Sequence, residues 1–160
     1  MAVSSSNPMP EPARVTLLGS GSGTLTGSAA IQDIDNFSVG PIGNKTLRIF
    51  FSTTKTLGNS ASYMYISSSA GGGIVTGMNS ITISTSGTIG YTKIETRKDP
   101  NSSNHITHNE GLTSAAAATN STLKTTADFD LTTAEIFYIC APAIGVGQDF
   151  KYTWLAVLEG

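Results

Sequence analysis

From Ala134 to Glu159 the chain reads AEIFYICAPAI, then GVGQD, then FKYTWLAVLE, the one stretch where apolar and aromatic residues run nearly unbroken. It holds the sole Trp154 and the sole Cys140. Ile136, Phe137, Tyr138, Ile139, Tyr152, Trp154 and Val157 are β-branched or aromatic, the types that pack well on a pleated surface. The stretch therefore predicts two strands, 134–142 and 150–159. Gly145 and Gly147 between them can adopt positive φ, as a short hairpin connection needs, so the expectation is a central hairpin that supplies much of the core. In the second strand Phe150, Tyr152 and Trp154 alternate with Lys151 and Thr153, whereas Leu155 to Leu158 is apolar on both faces. That pattern predicts a strand in the middle of a sheet packed on both sides.

The remainder is bland, and its blandness is informative. Only 12% of the 160 residues are charged, against about 25% in a typical soluble domain. The 20 Ser, 22 Thr and 17 Gly cover the surface instead, a composition poor in helix formers and suited to β structure. A net charge of −2 with nine scattered Lys and Arg argues against nucleic acid as a partner. A low-charge surface is a solubility risk for a free monomer, and fits a protein packed against copies of itself or a larger particle. MAVSSSNPMPEPA lacks the basic and apolar regions of a signal peptide, and no run of about 18 apolar residues suggests a membrane span, so synthesis in a cytoplasm without membrane association is expected. One cysteine excludes an intramolecular disulfide, and Cys140 in an apolar strand reads as an inert buried thiol.

In chain order, residues 1–13 hold Pro8, Pro10 and Pro12 with three serines and predict an extended or flexible N-terminal arm. Residues 14–160 are expected to form one β-sandwich domain. Arg14 to Leu18 reads as a short strand, GSGSGTLTGS over 19–28 as a flexible or hairpin-like connection, and Ile31 to Val39 as irregular, with one strand at most. Leu47, Ile49, Phe51 and Thr53 share one face of a clear strand over 45–54, which is expected to form a hairpin with 61–67. Residues 80–84 and 89–96 predict a second hairpin, and the polar stretch 97–111 a surface loop. Residues 112–120, with four consecutive alanines, suit either one or two helical turns or a strand of small residues, and 123–131 a strand or loop. Some seven to nine strands with turn signals about every 8–12 residues predict an all-β fold, an antiparallel β-sandwich of jelly-roll-like type.

No diagnostic catalytic or cofactor motif is present, so no catalytic residue and no cofactor is assigned. Gly19-Ser20-Gly21-Ser22-Gly23-Thr24 lacks the Lys-Ser/Thr of a phosphate loop. Ser52-Thr53-Thr54-Lys55 and Ser121-Thr122-Leu123-Lys124 match S-x-x-K, but without the S-D-N or K-T-G partners of the serine acyl-transferases. His105, His108 and Glu110 are the candidate metal ligands, although a spacing of three puts the histidines on opposite faces of any strand. Asp33-Ile34-Asp35-Asn36 and Asp128-Phe129-Asp130 offer oxygens suited to calcium and equally to turns. Tyr63, Tyr65 and Trp154 are the candidates for a sugar-stacking platform, with core packing as the plainer use of such rings. Four N-x-S/T sequons, at Asn36, Asn44, Asn101 and Asn120, follow from the abundance of Ser and Thr.

The Pro-rich arm in Met1 to Ala13, the Ser/Thr/Gly-rich β body and the terminal strand FKYTWLAVLEG resemble small accessory proteins of bacteriophage virions, such as capsid decoration proteins and fibre-head β-sandwiches. The resemblance implies a homo-oligomer, most often a trimer, attached to a major capsid or other virion protein, located in the virion and free of catalysis. It carries over no functional residue. Two expectations follow: a structural protein that binds a particle lattice through its arm and sandwich edges, or a carbohydrate- or receptor-binding module using Tyr63, Tyr65 or Trp154 with loop 97–111.

Overall fold

A computed structural model of the chain describes residues 13–75, 78–101, 104–114, 116–126 and 131–160, with only the backbone over 116–126. The arm expected at 1–13 lies outside the described residues except for Ala13, as does Asp128-Phe129-Asp130. Nine strands and no helix occur among the described residues: β1 (Val15–Thr26), β2 (Gln32–Val39), β3 (Thr46–Leu57), β4 (Tyr65–Ser67), β5 (Ile89–Lys98), β6 (His105–Thr113), β7 (Ala116–Thr126), β8 (Glu135–Ala141) and β9 (Asp149–Glu159). They form a six-stranded sheet in the order β1-β9-β3-β5-β6-β7 and a three-stranded sheet in the order β2-β8-β4. All pairings are antiparallel.

The pairing is nested: first strand with last, β2 with β8, β3 with β5, while single bridges join Ser62 to Ile83 and Tyr65 to Asn79. A chain folded into such a ribbon and rolled over two layers is a jelly roll, and the β6–β7 hairpin extends its larger sheet by two strands. The expected all-β sandwich is the observed fold. The expected hairpins are not, because segments adjacent in sequence enter opposite sheets. β8 lies between β2 and β4, and β9 between β1 and β3, so the connection through Gly145 (φ 72°) and Gly147 (φ 77°) crosses from one layer to the other. The same correction applies to β3 with 61–67 and to 80–84 with β5.

The core lies between the sheets. Leu47, Ile49 and Phe51 of β3, Ile94 of β5 and Phe150, Trp154, Ala156 and Leu158 of β9 face Phe37 and Val39 of β2, Ile66 of β4 and Phe137, Ile139 and Ala141 of β8. The predicted face Leu47, Ile49, Phe51 and Thr53 is buried throughout. Trp154 stacks on Phe37 with ring centroids 5.6 Å apart, and Phe37 meets Phe137 at 5.8 Å.

GSGSG, expected as a flexible connection, is the middle of β1, and Gly21 and Gly23 pair with Trp154 and Tyr152. A Cβ on Gly19 would stand 2.7 Å from the Trp154 ring, one on Gly23 2.7 Å from the Tyr152 hydroxyl, and one on Gly21 against the indole Nε1. The glycine row is thus the space that the aromatic row fills. Residues 31–39, expected as irregular with one strand at most, hold the eight-residue strand β2, with a bulge between Asp33 and Asp35.

The polar stretch 97–111 is largely strand, not loop, since β5 runs to Lys98 and β6 begins at His105. Its inward residues include small and polar ones whose groups are satisfied by hydrogen bonds or close packing. Thr107 bonds Thr96 hydroxyl to hydroxyl at 2.9 Å, the Asn109 side-chain amide donates to the Asn79 carbonyl at 2.7 Å, and Ile81 lies over Gly90 and Gly111.

Candidate functional site

Strand alternation sends every second residue of the six-stranded sheet away from the core. On the outer face, register aligns Ser20, Leu155, Phe50, Lys93 and Glu110 in one row and Ser22, Thr153, Ser52, Tyr91 and Leu112 in the next. Leu17, Val157 and Arg48 form a third. An apolar band therefore crosses the sheet diagonally from Val15 and Leu17 through Val157, Leu155 and Phe50 to Tyr91 and Leu112. Leu17 is 62% exposed, Leu112 48%, Tyr91 46% and Leu155 37%. Between Phe50, Tyr91 and Leu155, with Ser52 and Thr153 as neighbours, lies a shallow groove of about 420 Å³.

One flank of the band is charged, and its charges are paired within the face. Arg48 Nε meets Glu95 at 2.8 Å, and its Nη1 contacts Glu159. Lys93 Nζ lies 3.4 Å from Glu110 and 3.7 Å from Glu95. With Arg97 on the same flank, three cations stand against three carboxylates among the described residues there, so this flank presents little net field. The other flank is hydroxyl: Ser22, Thr153, Ser52 and Thr54.

β6 sends His105 inward, where it is buried, and His108 and Glu110 outward, with His108 Nδ1 3.9 Å from Glu95. The two histidines thus do not share a face. Among the described residues no group of three or more His, Cys, Asp or Glu is placed to hold a metal ion. Asp33 is engaged by protein, accepting from the Gly71 amide at 2.8 Å and from the Cys140 thiol at 3.2 Å.

The stacking candidates are also dispersed. Trp154 is 4% exposed in the core and Tyr65 3%, its hydroxyl donating to the Gly72 carbonyl at 3.1 Å. Tyr63 is half-buried, with its ring 6.1 Å from that of Tyr65. Trp154 offers no surface to a ligand because the glycines of β1 let it lie flat beneath that strand.

Ser52 and Lys55 of the first S-x-x-K tetrad point to opposite faces of β3. Lys55 points inward, 1% exposed, and its Nζ donates to Ser62 Oγ at 2.7 Å. Removal from water pushes this amine below its ordinary value, against the opposing pull of the Asp149 carboxylate. A depressed lysine beside a serine hydroxyl is base-and-nucleophile chemistry, but Ser62 is fully buried and no substrate reaches it. The Cys140 thiol is pushed up to about 12, by burial first and then by the Asp33 carboxylate, which leaves it inert at neutral pH.

The band escaped residue-by-residue reading. Two signals pointed to it, Phe50 beside inward Phe51 and the two-sided run Leu155 to Leu158. Leu17, Tyr91 and Leu112 are single apolar residues in polar surroundings, and only register assembles them.

No helix among the described residues is long and apolar enough to cross a membrane. No protein-family model and no curated protein matches the chain. Among solved structures it is similar to the basic winged bean lectin with Tn-antigen, at 9% identity and a TM-score of 0.46 over 89% of this chain and 99% of that one. It is also similar to peanut lectin with a 9mer peptide, at 8% identity and a TM-score of 0.43 over 88% of this chain and 97% of that one. A structure of the infectious bursal disease virus Gx strain matches at 10% identity and a TM-score of 0.25, over 93% of this chain and 42% of that one. At such identities and scores no function transfers to this chain by likeness.

Proposed function

We propose that the chain is a non-enzymatic structural protein of a virion, of the capsid decoration or accessory type, and that it acts by burying surface against neighbouring protein. The observation that carries this reading is the outer side of β9 and its neighbours. The run Leu155 to Leu158 is apolar on both faces, as suits a strand covered on both sides, yet only its inner side is covered. Of the eleven exposed large apolar residues among the described ones, six lie on this one face: Val15, Leu17, Ile89, Tyr91, Leu112 and Leu155. A contiguous patch of that kind marks an interaction surface.

Size and charge agree with a protein partner. Six strands about 4.8 Å apart and about ten residues long span a face of roughly 900 Å², near the roughly 800 Å² each partner gives to a standard interface. The partners proposed are a major capsid or other virion lattice and further copies of the chain, in the trimer that the virion resemblance implies. The test is attachment to particles isolated with the native chain. Leu155→Lys and Tyr91→Lys should each weaken it tenfold or more while leaving the thermal midpoint unchanged, and undiminished attachment of both variants refutes the reading.

The groove favours one alternative, a carbohydrate- or receptor-binding module. Tyr91 beside the Ser52 and Thr153 hydroxyls offers a ring face with polar neighbours, which Trp154 and Tyr65 do not. Glycan-array binding by the natural chain, lost on Tyr91→Ala with the fold intact, would select it.

A further inference from the structure

The groove of about 420 Å³ on the outer face lies at the middle of the apolar band, on β9, β3 and β5, with Leu17 beyond it on β1 and Leu112 beyond it on β6. Its shape follows from side-chain size in two neighbouring rows. Leu155 and Phe50 stand large in one row, Thr153 and Ser52 small in the next, and Tyr91 closes the far end. Interfaces concentrate their binding energy in central sites of this kind, where a single large side chain leaves water completely.

The lining restricts the occupant. Among the described residues no charged side chain lines the groove, so a charge entering it would lose its water without gaining a partner. The Ser52 and Thr153 hydroxyls beside the apolar walls can each donate and accept, which suits the main-chain N–H and C=O on either side of a seated side chain. The charged flank agrees. Arg48 and Lys93 are held by Glu95, Glu110 and Glu159, so an approaching charge of either sign meets attraction and repulsion together. The face therefore complements a partner that is itself uncharged over the contact.

Extent decides between a polypeptide and a smaller ligand. Leu17 and Leu112 lie four strand spacings apart across the sheet and two register rows apart along it, so the band runs about 23 Å. A sugar seated in the groove would leave both ends of the band, 62% and 48% exposed, in water. A protein segment apolar along one side covers the whole length.

We propose that the outer face takes an uncharged, apolar stripe of a partner protein, about 23 Å long, and that the groove seats one large side chain at the middle of that stripe. The inference rests on the outer face being the docking surface and adds what the partner must present. The fit of one side chain selects it, and charge does not.

The test uses the full chain and its attachment to particles isolated with the native chain. Ser52→Leu fills the groove while making the face more apolar, and should weaken attachment about tenfold or more with an unchanged thermal midpoint. Thr153→Leu fills it from the other side and should do the same, which keeps the test standing if the first variant folds poorly. Thr24→Leu adds the same side chain to the same face away from the band, and should leave attachment unchanged. For the natural chain, attachment should change by no more than about threefold between about 0.05 M and about 0.5 M salt. The proposal is overturned by undiminished attachment of the two groove variants, by an equal loss in Thr24→Leu, or by a steep fall with salt. Glycan-array binding by the natural chain that Ser52→Leu abolishes would give the groove to a sugar and overturn it too. Loss of attachment in Leu155→Lys with both groove variants indifferent would remove the anchor and leave the docking face standing; indifference of Leu155→Lys and Tyr91→Lys as well would remove the face with it.

Discussion

The two sides of β9 both carry apolar residues and do different work. On the inner side Phe150, Trp154, Ala156 and Leu158 are buried among β1, β3 and the smaller sheet, and the β1 glycines are shaped to the Trp154 ring. On the outer side Leu155 is 37% exposed and Val157 half-buried, aligned with exposed residues of β1, β5 and β6. The inner side has its partner within the chain, and the outer side has its neighbours but no layer above them. Hydrophobicity alone therefore did not say which residues fold the protein and which join it to something else; the covering layer did.

Substitutions that treat the two sides alike should break this comparison if it is wrong. The largest effect is expected inside. Trp154→Ala should cost about 3–5 kcal/mol of unfolding free energy by denaturant titration, from lost burial and the cavity left behind. Gly21→Ala should also destabilise, because its Cβ meets the indole. In the double variant the losses should be less than additive, since removal of the ring frees the space.

Outside, Leu155→Lys should change unfolding free energy by no more than about 0.5 kcal/mol, against the tenfold or greater loss in particle attachment.

Two pH effects sharpen the inner side. Lys55 is held below its ordinary value, so the folded chain binds fewer protons than the unfolded chain as pH rises to 10.5, and stability should climb over that window. Lys55→Met should abolish the climb. Cys140 is raised from 9.0 to about 12, so its contribution is complete below pH 9.0 and lost above it; Cys140→Ala should flatten that part of the pH–stability curve. The smallest effect belongs to the flank of the outer face. Arg48→Ala removes half-buried ion pairs with Glu95 and Glu159 at the sheet surface and should cost about 1 kcal/mol or less, shrinking with added salt.

The sequence was legible where side chains declare a face. β3 was readable from Leu47, Ile49, Phe51 and Thr53, and β9 from Phe150, Tyr152 and Trp154. It was misleading where the declaring group is missing: in β1 the glycines look like a linker, and only the rings of Trp154 and Tyr152 across the register explain them as packing. β6 looked like a loop because its inward Thr107 and Asn109 are held by hydrogen bonds and Gly111 makes room for Ile81, so no row of large apolar residues marks that face. Sheet membership was not readable either, since a glycine turn that closes a hairpin and one that crosses between layers use the same residues, as at Gly145 and Gly147. The docking face combined both difficulties. Phe50 and Leu155 were visible as excess, whereas Leu17, Tyr91 and Leu112 acquire meaning only from pairing across five strands.

Hydroxyl-radical footprinting of the native assembly against the purified chain tests the central claim most directly. Leu17, Tyr91, Leu112 and Leu155 should be protected in the assembly, while Val146, 91% exposed and away from the face, stays equally reactive in both. Equal reactivity of the four band residues in assembly and free chain would contradict the account.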